Sequence, residues 1–488
     1  MARIDSGKLG GVVGRTGPAD RGRVPAAVLL LVFAAVTTTV ALLLVEANQP
    51  GPMTSTPFAY GGALLGLYLI AFLATRILAP YADPVILPCV ALLNGLGLAL
   101  IHRLDLAAAT TAARQGDPVP SGDAGKQMIW TAAGLALFVA VLALVRDHRV
   151  LSRYSYTFAL VGLVLVLVPA VLPARFSEVN GGKNWILLFG LSIQPGEFAK
   201  VILLVSCASL LVANRDLFMI AGRRVWGLDL PRARDMGPLL LVWLIAIGIM
   251  VFEKNLGFSL LIFGTVLAML YIATQRISWV LIGVVFFAAG CWLAYHLFAH
   301  VRVRFDVWLD PFADYADTGY QVSQSLFGLG TGGLIGTGLG QGSPQMVPFA
   351  KTDFIFSTVG EELGLFGLAA VVSLYLVIVV RGFRTAVMAR DSFGKLLAAG
   401  LSFTIAWQVF VVVGGVTSLI PLTGLTSPFL SYGGSSLLAN FVLVALLIRI
   451  SNDARRRPAS RTVPAVEPIA DARTEMLPRR RARRHPPR

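Results

Sequence analysis

Charge is scarce in this chain: charged residues fill 14% of its 488 positions, while hydrophobic residues fill 56%. So little charge cannot cover a soluble protein of this length, which excludes a soluble globular fold. Cysteine is scarcer still. Cys89, Cys207 and Cys291 each lie inside an apolar run. Thiols so placed exclude a disulfide framework and read as small core hydrophobes. The five histidines are scattered, with no His-x-x-x-His or Cys/His cluster, which argues against a zinc centre. Acidic residues are outnumbered, 26 against 41 basic, for a net charge of +15. Much of that excess sits at the ends, in Arg3, Lys8, Arg15, Arg21 and Arg23 and in an arginine-rich tail after Ser451. Nucleic-acid binding is one reading of such a tail. On a membrane protein a solvated cytoplasmic tail beside anionic lipid is the stronger one, and no nucleic-acid partner is expected.

Long apolar runs are abundant. Spans able to cross a bilayer fall at about 25–46, 58–76, 84–101, 128–146, 155–173, 197–213, 237–253, 256–274, 278–298, 354–381, 394–418 and 433–450. The fold class is therefore an all-α polytopic membrane protein of about twelve transmembrane helices. No signal-peptide cleavage pattern follows the first run, which is predicted to stay as a helix. The seventh and eighth spans are separated only by Glu253, Lys254 and Asn255, a tight hairpin. No internal repeat of the kind seen in many secondary transporters is evident.

Basic residues set the orientation. Arg76, Arg146, Arg149, Arg153, Arg215, Arg223, Arg224, Arg232, Arg234, Arg276, Arg381, Arg384, Arg390 and Lys395 share one side with both termini. The opposite loops hold Arg103, Arg114, Lys126, Arg175, Lys183, Lys254, Arg302, Arg304 and Lys351. The positive-inside rule places both termini in the cytoplasm. It places 180–200, 301–353 and 421–436 outside. These three segments are rich in Gly, Pro, Asn, Gln and Ser, so function is expected at the outer face.

Four constellations there carry chemistry. The first is Asp353, where the chain re-enters the membrane as Lys351-Thr352-Asp353-Phe354-Ile355-Phe356. A carboxylate at that place has two readings of equal weight: a cap on the helix N-terminus, or a base for a membrane-embedded substrate. The preceding loop, with Gln321, Gln324, Ser325 and a glycine series from Gly328 to Gly342, favours the base, because exposed N–H groups can approach a polar ligand. The second is Gln194-Pro195-Gly196-Glu197-Phe198-Ala199-Lys200. Glu197 and Lys200 share a helix face, as a structural ion pair or as part of a site. The third is the set of outer cations Lys183, Lys254, Arg302, Arg304 and Lys351, suited to a pyrophosphate or to ordinary headgroup contact. The fourth is the broken stretch 421–436, with Ser431 and Ser435, read as one wall of the site. Glu361 and Glu362, two turns into the helix after Asp353, are expected to hydrogen-bond inside the protein.

At these residues the chain resembles the SEDS family (shape, elongation, division, sporulation), the RodA/FtsW/SpoVE glycosyltransferases. The matching motifs are Asn180-Gly181 with Trp185-Ile186, Gln194-Pro195-x-Glu197-x-x-Lys200, Arg304 with Asp310-Pro311, Gly319-Tyr320-Gln321, and Gln324-Ser325. They continue with Gly332-Gly333, Gly336-x-Gly338, Thr352-Asp353-Phe354-Ile355-Phe356, Gly360-Glu361-Glu362-x-Gly364 and the 421–436 segment, in family order. The likeness is greatest to the actinobacterial RodA branch, which also has extra N-terminal helices. Asn184, Asn255 and Gly196 stand where that pattern has Arg, Asp and Ser.

Charge and composition give a basic cytoplasmic N-terminus over 1–24 and a basic, disordered cytoplasmic tail over 451–488; the resemblance adds two extra helices over 25–76 before a ten-helix core over 84–450 with a large extracytoplasmic loop over 299–353. It implies an inverting polymerase of lipid II, the undecaprenyl-pyrophosphate-linked peptidoglycan precursor, in the cytoplasmic membrane, serving cell elongation and shape. In that family the aspartate matching Asp353 is the essential catalytic candidate, and residues matching Glu197 and Lys200 are implicated. Lys183, Arg304, Lys351, Gln321, Gln324, Ser325, Ser431 and Ser435 are the substrate- or pyrophosphate-binding candidates. The implied partner is a class B penicillin-binding protein, a transpeptidase. No cofactor is required by the sequence; a divalent cation, Mg or Mn, is a further candidate for the pyrophosphate charge. The alternatives are a lipid II flippase, a division paralogue of the FtsW kind, and a non-catalytic scaffold.

Overall fold

A long apolar chain in lipid satisfies its backbone within itself, and the helix is the simplest way. The structure, a computed structural model, describes residues 23–179, 182–188, 191–215, 221–225, 228–231, 248 and 255–456. In chain order the helices are α1 (Arg23–Ala47), α2 (Thr56–Leu78), α3 (Ile86–Gln115), α4 (Asp123–Leu144), α5 (Ser155–Val171), the single turn α6 (Ala174–Ser177) and α7 (Pro195–Ala213). They continue as α8 (Leu256–Thr274), α9 (Ile277–Leu297), α10 (Ala299–Leu309), α11 (Tyr320–Gly332), α12 (Ile355–Met388), α13 (Ser392–Val416) and α14 (Gly434–Arg455). Among the described residues, 11 helices are long and apolar enough to cross a membrane; α6, α10 and α11 are not. They match eleven of the predicted spans. The remaining one, 237–253, lies outside the described residues except for Gly248, as do Lys254, Asn180 and Gly181.

Two short antiparallel hairpins interrupt the helices: β1 (Ile186–Leu188) with β2 (Leu191–Ile193), and β3 (Ala221–Val225) with β4 (Leu228–Pro231). Neither was expected from the sequence. The all-α class stands: among the described residues the strands form only these two-stranded hairpins.

The core is built on α3, α7, α13 and α14. In the central stretch of α3 and of α14, 83% of residues are buried, against 17% for α9, whose apolar face is left to lipid or a partner. The 421–433 segment presses into this core: a Cβ on Gly97 would lie 2.2 Å from the Leu430 carbonyl oxygen.

Local signals set the helix ends. Pro195 sits in the first turn of α7 with Glu197 beside it, and Gly116 closes α3 in a left-handed conformation at φ 76. Asn255 caps α8 by accepting the Phe258 amide at 3.4 Å. The departure from aspartate there keeps the capping function, since both residues serve it.

Two boundaries differ from the expectation. α3 runs on to Gln115, so Arg103 is not a loop residue; it is 1% exposed inside the bundle. Ala-rich sequence after 105 favours the helix, and buried partners make the charge tolerable. α12 is broken at Gly364, whose φ of 68 and ψ of −169 only glycine adopts readily. At the end of the bundle away from Asp353, His148 lies between Asp391 (3.1 Å) and Asp453 (2.9 Å), and Asp83 pairs with Arg381 and Arg455.

Candidate active site

Asp353 stands on the short stretch between the glycine-rich loop and α12. The capping role is not filled: the N-cap of α12 is Phe354, and no side chain caps that helix. The Asp353 carboxylate is half-buried and makes no ion pair among the described residues. Burial raises its pKa above the ordinary aspartate value, while the charge of Arg304 and the Thr352 hydroxyl pull it back in part.

Arg304 comes from α10. Its Nη1 donates to the carbonyls of Leu422 (3.1 Å) and Thr423 (3.3 Å). Its pKa is lowered by burial and supported by Asp353, and the guanidinium stays charged. Both groups converge on Gly424. A Cβ there would lie 3.6 Å from Asp353 Oδ2 and 3.9 Å from Arg304 Nη2. Both are ordinary contact distances, so the two opposite charges lie beside the same position without forming an ion pair with each other among the described residues.

The 421–436 segment holds Asp353 in place. Ser431 Oγ donates to the Thr352 carbonyl at 2.6 Å and accepts the Ser427 amide at 2.9 Å, and the Tyr432 amide binds the Lys351 carbonyl at 2.8 Å. Ser435 accepts the Gln194 amide at 2.9 Å. Both serines, substrate-binding candidates from the sequence, therefore tie loops together. Ser325 does the same: it is fully buried and donates to the Val416 carbonyl at 3.1 Å. Gln324 binds the Tyr315 hydroxyl at 2.7 Å, and Gln321 is half-buried on α11.

Glu197 and Lys200 form a closed pair of 2.6 Å deep in the bundle. Lys200 also donates to Gln408 Oε1 at 3.2 Å, and Gln408 Nε2 donates to the Thr426 carbonyl at 2.7 Å. The pair thus reaches the Asp353 region through the backbone of 426–431, not by direct contact. Lys351 is held by Asp105 at 2.5 Å and Asp123 at 2.9 Å. Burial lowers its pKa, but the two carboxylates outweigh this and leave it raised. Lys183 is half-buried ahead of β1, without an ion pair among the described residues.

Several of the N–H groups that the glycine series offers to a polar ligand are taken up within the protein. The Gly340 amide binds Glu362 Oε2 at 3.1 Å, the Ser343 amide binds Glu361 Oε1 at 2.5 Å, and Arg103 Nε meets Glu362 Oε1 at 2.8 Å. The Thr337 and Gly338 amides bind the carbonyls of Glu361 and Glu362 at 2.9 and 3.0 Å. The loop is laid across the break in α12 and spends these donors there. Glu361 and Glu362 have the internal role expected of them. Arg103, Asp105, Asp123 and Gln408 were missed. The one signal for Gln408 was a polar residue within an apolar span. Among the described residues, the one converging set of three potential metal ligands is Asp147, His148 and Asp453, at the other end of the bundle.

These features define a polytopic helical membrane protein with an unpaired, recessed carboxylate and a facing guanidinium at one end. A family model described as a cell cycle protein, covering FtsW, RodA and SpoVE, matches residues 84–456. The peptidoglycan glycosyltransferase RodA of Mycobacterium tuberculosis (strain ATCC 25618 / H37Rv) is 55% identical over 458 residues, 93% of this chain and 96% of that protein. Its counterpart from Mycobacterium leprae (strain TN) is 53% identical over 454 residues, with the same coverage of 93% and 96%. A chain in a solved peptidoglycan synthase complex for polymerization and crosslinking matches with a TM-score of 0.58 and 25% identity, over 77% of this chain and 99% of that one. The chain belongs to the FtsW/RodA/SpoVE family.

Proposed function

We propose that this protein is a peptidoglycan glycosyltransferase of the RodA kind that polymerises lipid II, with Asp353 as the general base. The observation that carries the assignment is the raised, uncapped, unpaired carboxylate facing Arg304 across Gly424. Asp353 takes the proton of the acceptor GlcNAc 4-hydroxyl, and that oxygen attacks the anomeric carbon of the donor MurNAc. The bond to undecaprenyl pyrophosphate breaks, the anomeric centre inverts, and a β-1,4 link forms. Arg304 meets negative charge developing beside Asp353. Proton transfer of this kind contributes about 10²–10⁴-fold, so positioning and leaving-group electrostatics supply much of the remainder. With Asp353 serving as the base, a divalent cation would be held chiefly by the substrate's own phosphate oxygens and would supply further neutralisation of the leaving pyrophosphate.

Residues 84–450 form the catalytic core in this reading, with the first two helices added to it. The reaction runs at the extracytoplasmic face with both termini in the cytoplasm, an orientation supported by Arg76, Arg146, Arg149, Arg381, Arg384 and Arg390 on the other side. The partner is a class B penicillin-binding protein, in keeping with the synthase complex that contains the similar chain. The test supplies lipid II to the purified protein with its transpeptidase, for wild type and Asp353→Asn. Equal polymer from both sinks the base assignment. No polymer from either, with lipid II still crossing vesicles, makes the protein a flippase instead.

A further inference from the structure

The family match begins at residue 84, so the α1–α2 hairpin lies outside it. Yet the end of α1 grips the glycine-rich loop of the core. Asn48 Nδ2 donates to the Leu339 carbonyl at 2.8 Å, and Gln49 Nε2 donates to the Gly340 carbonyl at 2.5 Å. Gln341 Nε2 returns a bond to Asn48 Oδ1 at 3.3 Å. The approach is close: a Cβ on Gly340 would stand 3.0 Å from Asn48 Cβ and 3.1 Å from the Val45 carbonyl oxygen. Gly340 is therefore held from both sides, by Gln49 just past α1 through its carbonyl and by Glu362 of α12 through its amide.

One turn of α3 links this grip to the Asp353 segment. His102 Nε2 meets Glu46 Oε1 at 3.2 Å, and both Glu46 oxygens accept from Thr54 at 2.8 Å, which fixes the hairpin turn. Arg103 binds Glu362 at 2.8 Å, the Gly342 carbonyl at 2.7 Å and Gln345 Oε1 at 3.3 Å. Asp105 binds Lys351, two residues from Asp353, at 2.5 Å. Three side chains within four positions of α3 thus hold the hairpin, the glycine loop and the catalytic segment in one frame.

We propose that the α1–α2 hairpin is a positioning device for the catalytic segment, with Asn48 and Gln49 as positioning residues that hold 339–341 and thereby set where Asp353 sits. This rests on the reading of Asp353 as the base. It assigns the two extra helices a part in the reaction that burial of apolar surface alone would not require.

The test uses the full-length chain in nanodiscs, as wild type and as the double variant Asn48→Ala/Gln49→Ala. Hydrogen exchange across 344–354 is followed alongside lipid II polymerisation. Loosening the grip is expected to speed exchange over 344–354 and to lower kcat by about 10-fold, with KM within about 2-fold, because misplacement of a reacting group acts on the chemical step. Gln341→Ala, which removes only the bond to Asn48, is expected to act the same way by about 2–3-fold, and it decides the matter if the double variant loses its fold. Faster exchange confined to 339–341, or a rise in KM without a fall in kcat, overturns the proposal. If wild type itself makes no polymer, the glycosyltransferase reading falls, and exchange at 344–354 still decides whether the hairpin controls that segment.

Discussion

Arg103 meets Glu362 at 2.8 Å and Lys200 meets Glu197 at 2.6 Å, each pair shut among the helices, whereas Arg304 and Asp353 face each other across Gly424 without closing. The closed pairs are costly to bury and costlier to break, because removing one partner strands the other. Their oxygens and nitrogens are further spent on the Gly340 amide, the Gly342 carbonyl and Gln408. The open pair is arranged differently. Arg304 spends donors on two carbonyls, and the Asp353 carboxylate makes no ion pair among the described residues. Closed pairs shape the loop and the helix break; the open pair stays available to a ligand.

The comparison breaks most readily at Asp353. Asp353→Asn is expected to cut polymerisation by about 10²–10⁴-fold while leaving thermal stability at neutral pH unchanged or higher. The sign follows from its raised pKa. The folded state binds the proton more tightly than the unfolded state, so the ionised carboxylate weakens the fold as pH rises between the unfolded and folded values. The asparagine removes that loss. A marked drop in melting temperature would place Asp353 with the structural charges.

Glu362→Ala should do the opposite. It strands Arg103, which is 1% exposed, and is expected to destabilise the protein by about 3–5 kcal/mol, read by thermal unfolding in detergent. A fully stable variant would mean that the glycine loop does not depend on the pair.

Arg304→Gln sharpens the contrast through pH. Asp353 must be ionised to act as a base, so activity climbs as pH rises through its pKa. That acid limb should lie above the ordinary aspartate value, since burial outweighs the pull of Arg304. Removing the guanidinium should shift the limb further upward in a pH–rate profile. An unmoved limb would show that the Arg304 charge does not reach the base.

Ser431→Ala is the mildest change. It removes the 2.6 Å bond to the Thr352 carbonyl and the acceptor of the Ser427 amide, about 1–3 kcal/mol. A fall in kcat of less than about 10-fold with a modest drop in melting temperature is expected. A fall in lipid II affinity instead would return Ser431 to direct substrate contact.

Hydropathy alone placed eleven helices that the structure also has, because a lipid-spanning backbone has few other solutions. The motif around Asp353 was legible for a similar reason: a carboxylate at a membrane boundary has to be explained by its immediate neighbours. Capping and catalysis could not be separated there, since they differ by one residue of helix start, and the structure puts the N-cap at Phe354. What the sequence did not show is the internal partners: composition shows N–H groups in the glycine series but not the glutamates that accept from several of them. Lys351, Ser325, Ser431 and Ser435 likewise have partners far along the chain that their neighbours do not reveal.

The sequence by itself determined the helices, the class and the carboxylate on which the proposed chemistry rests. Each follows from short-range physics: runs of apolar side chains, and charges placed next to them. Tertiary structure decided which charges are spent and which are free. Arg103 and Glu362 lie 259 positions apart, Lys200 and Gln408 lie 208 apart, and Asn48 reaches Leu339 across 291. Partners so distant are brought together by packing, and packing left Asp353 without an ion pair among the described residues.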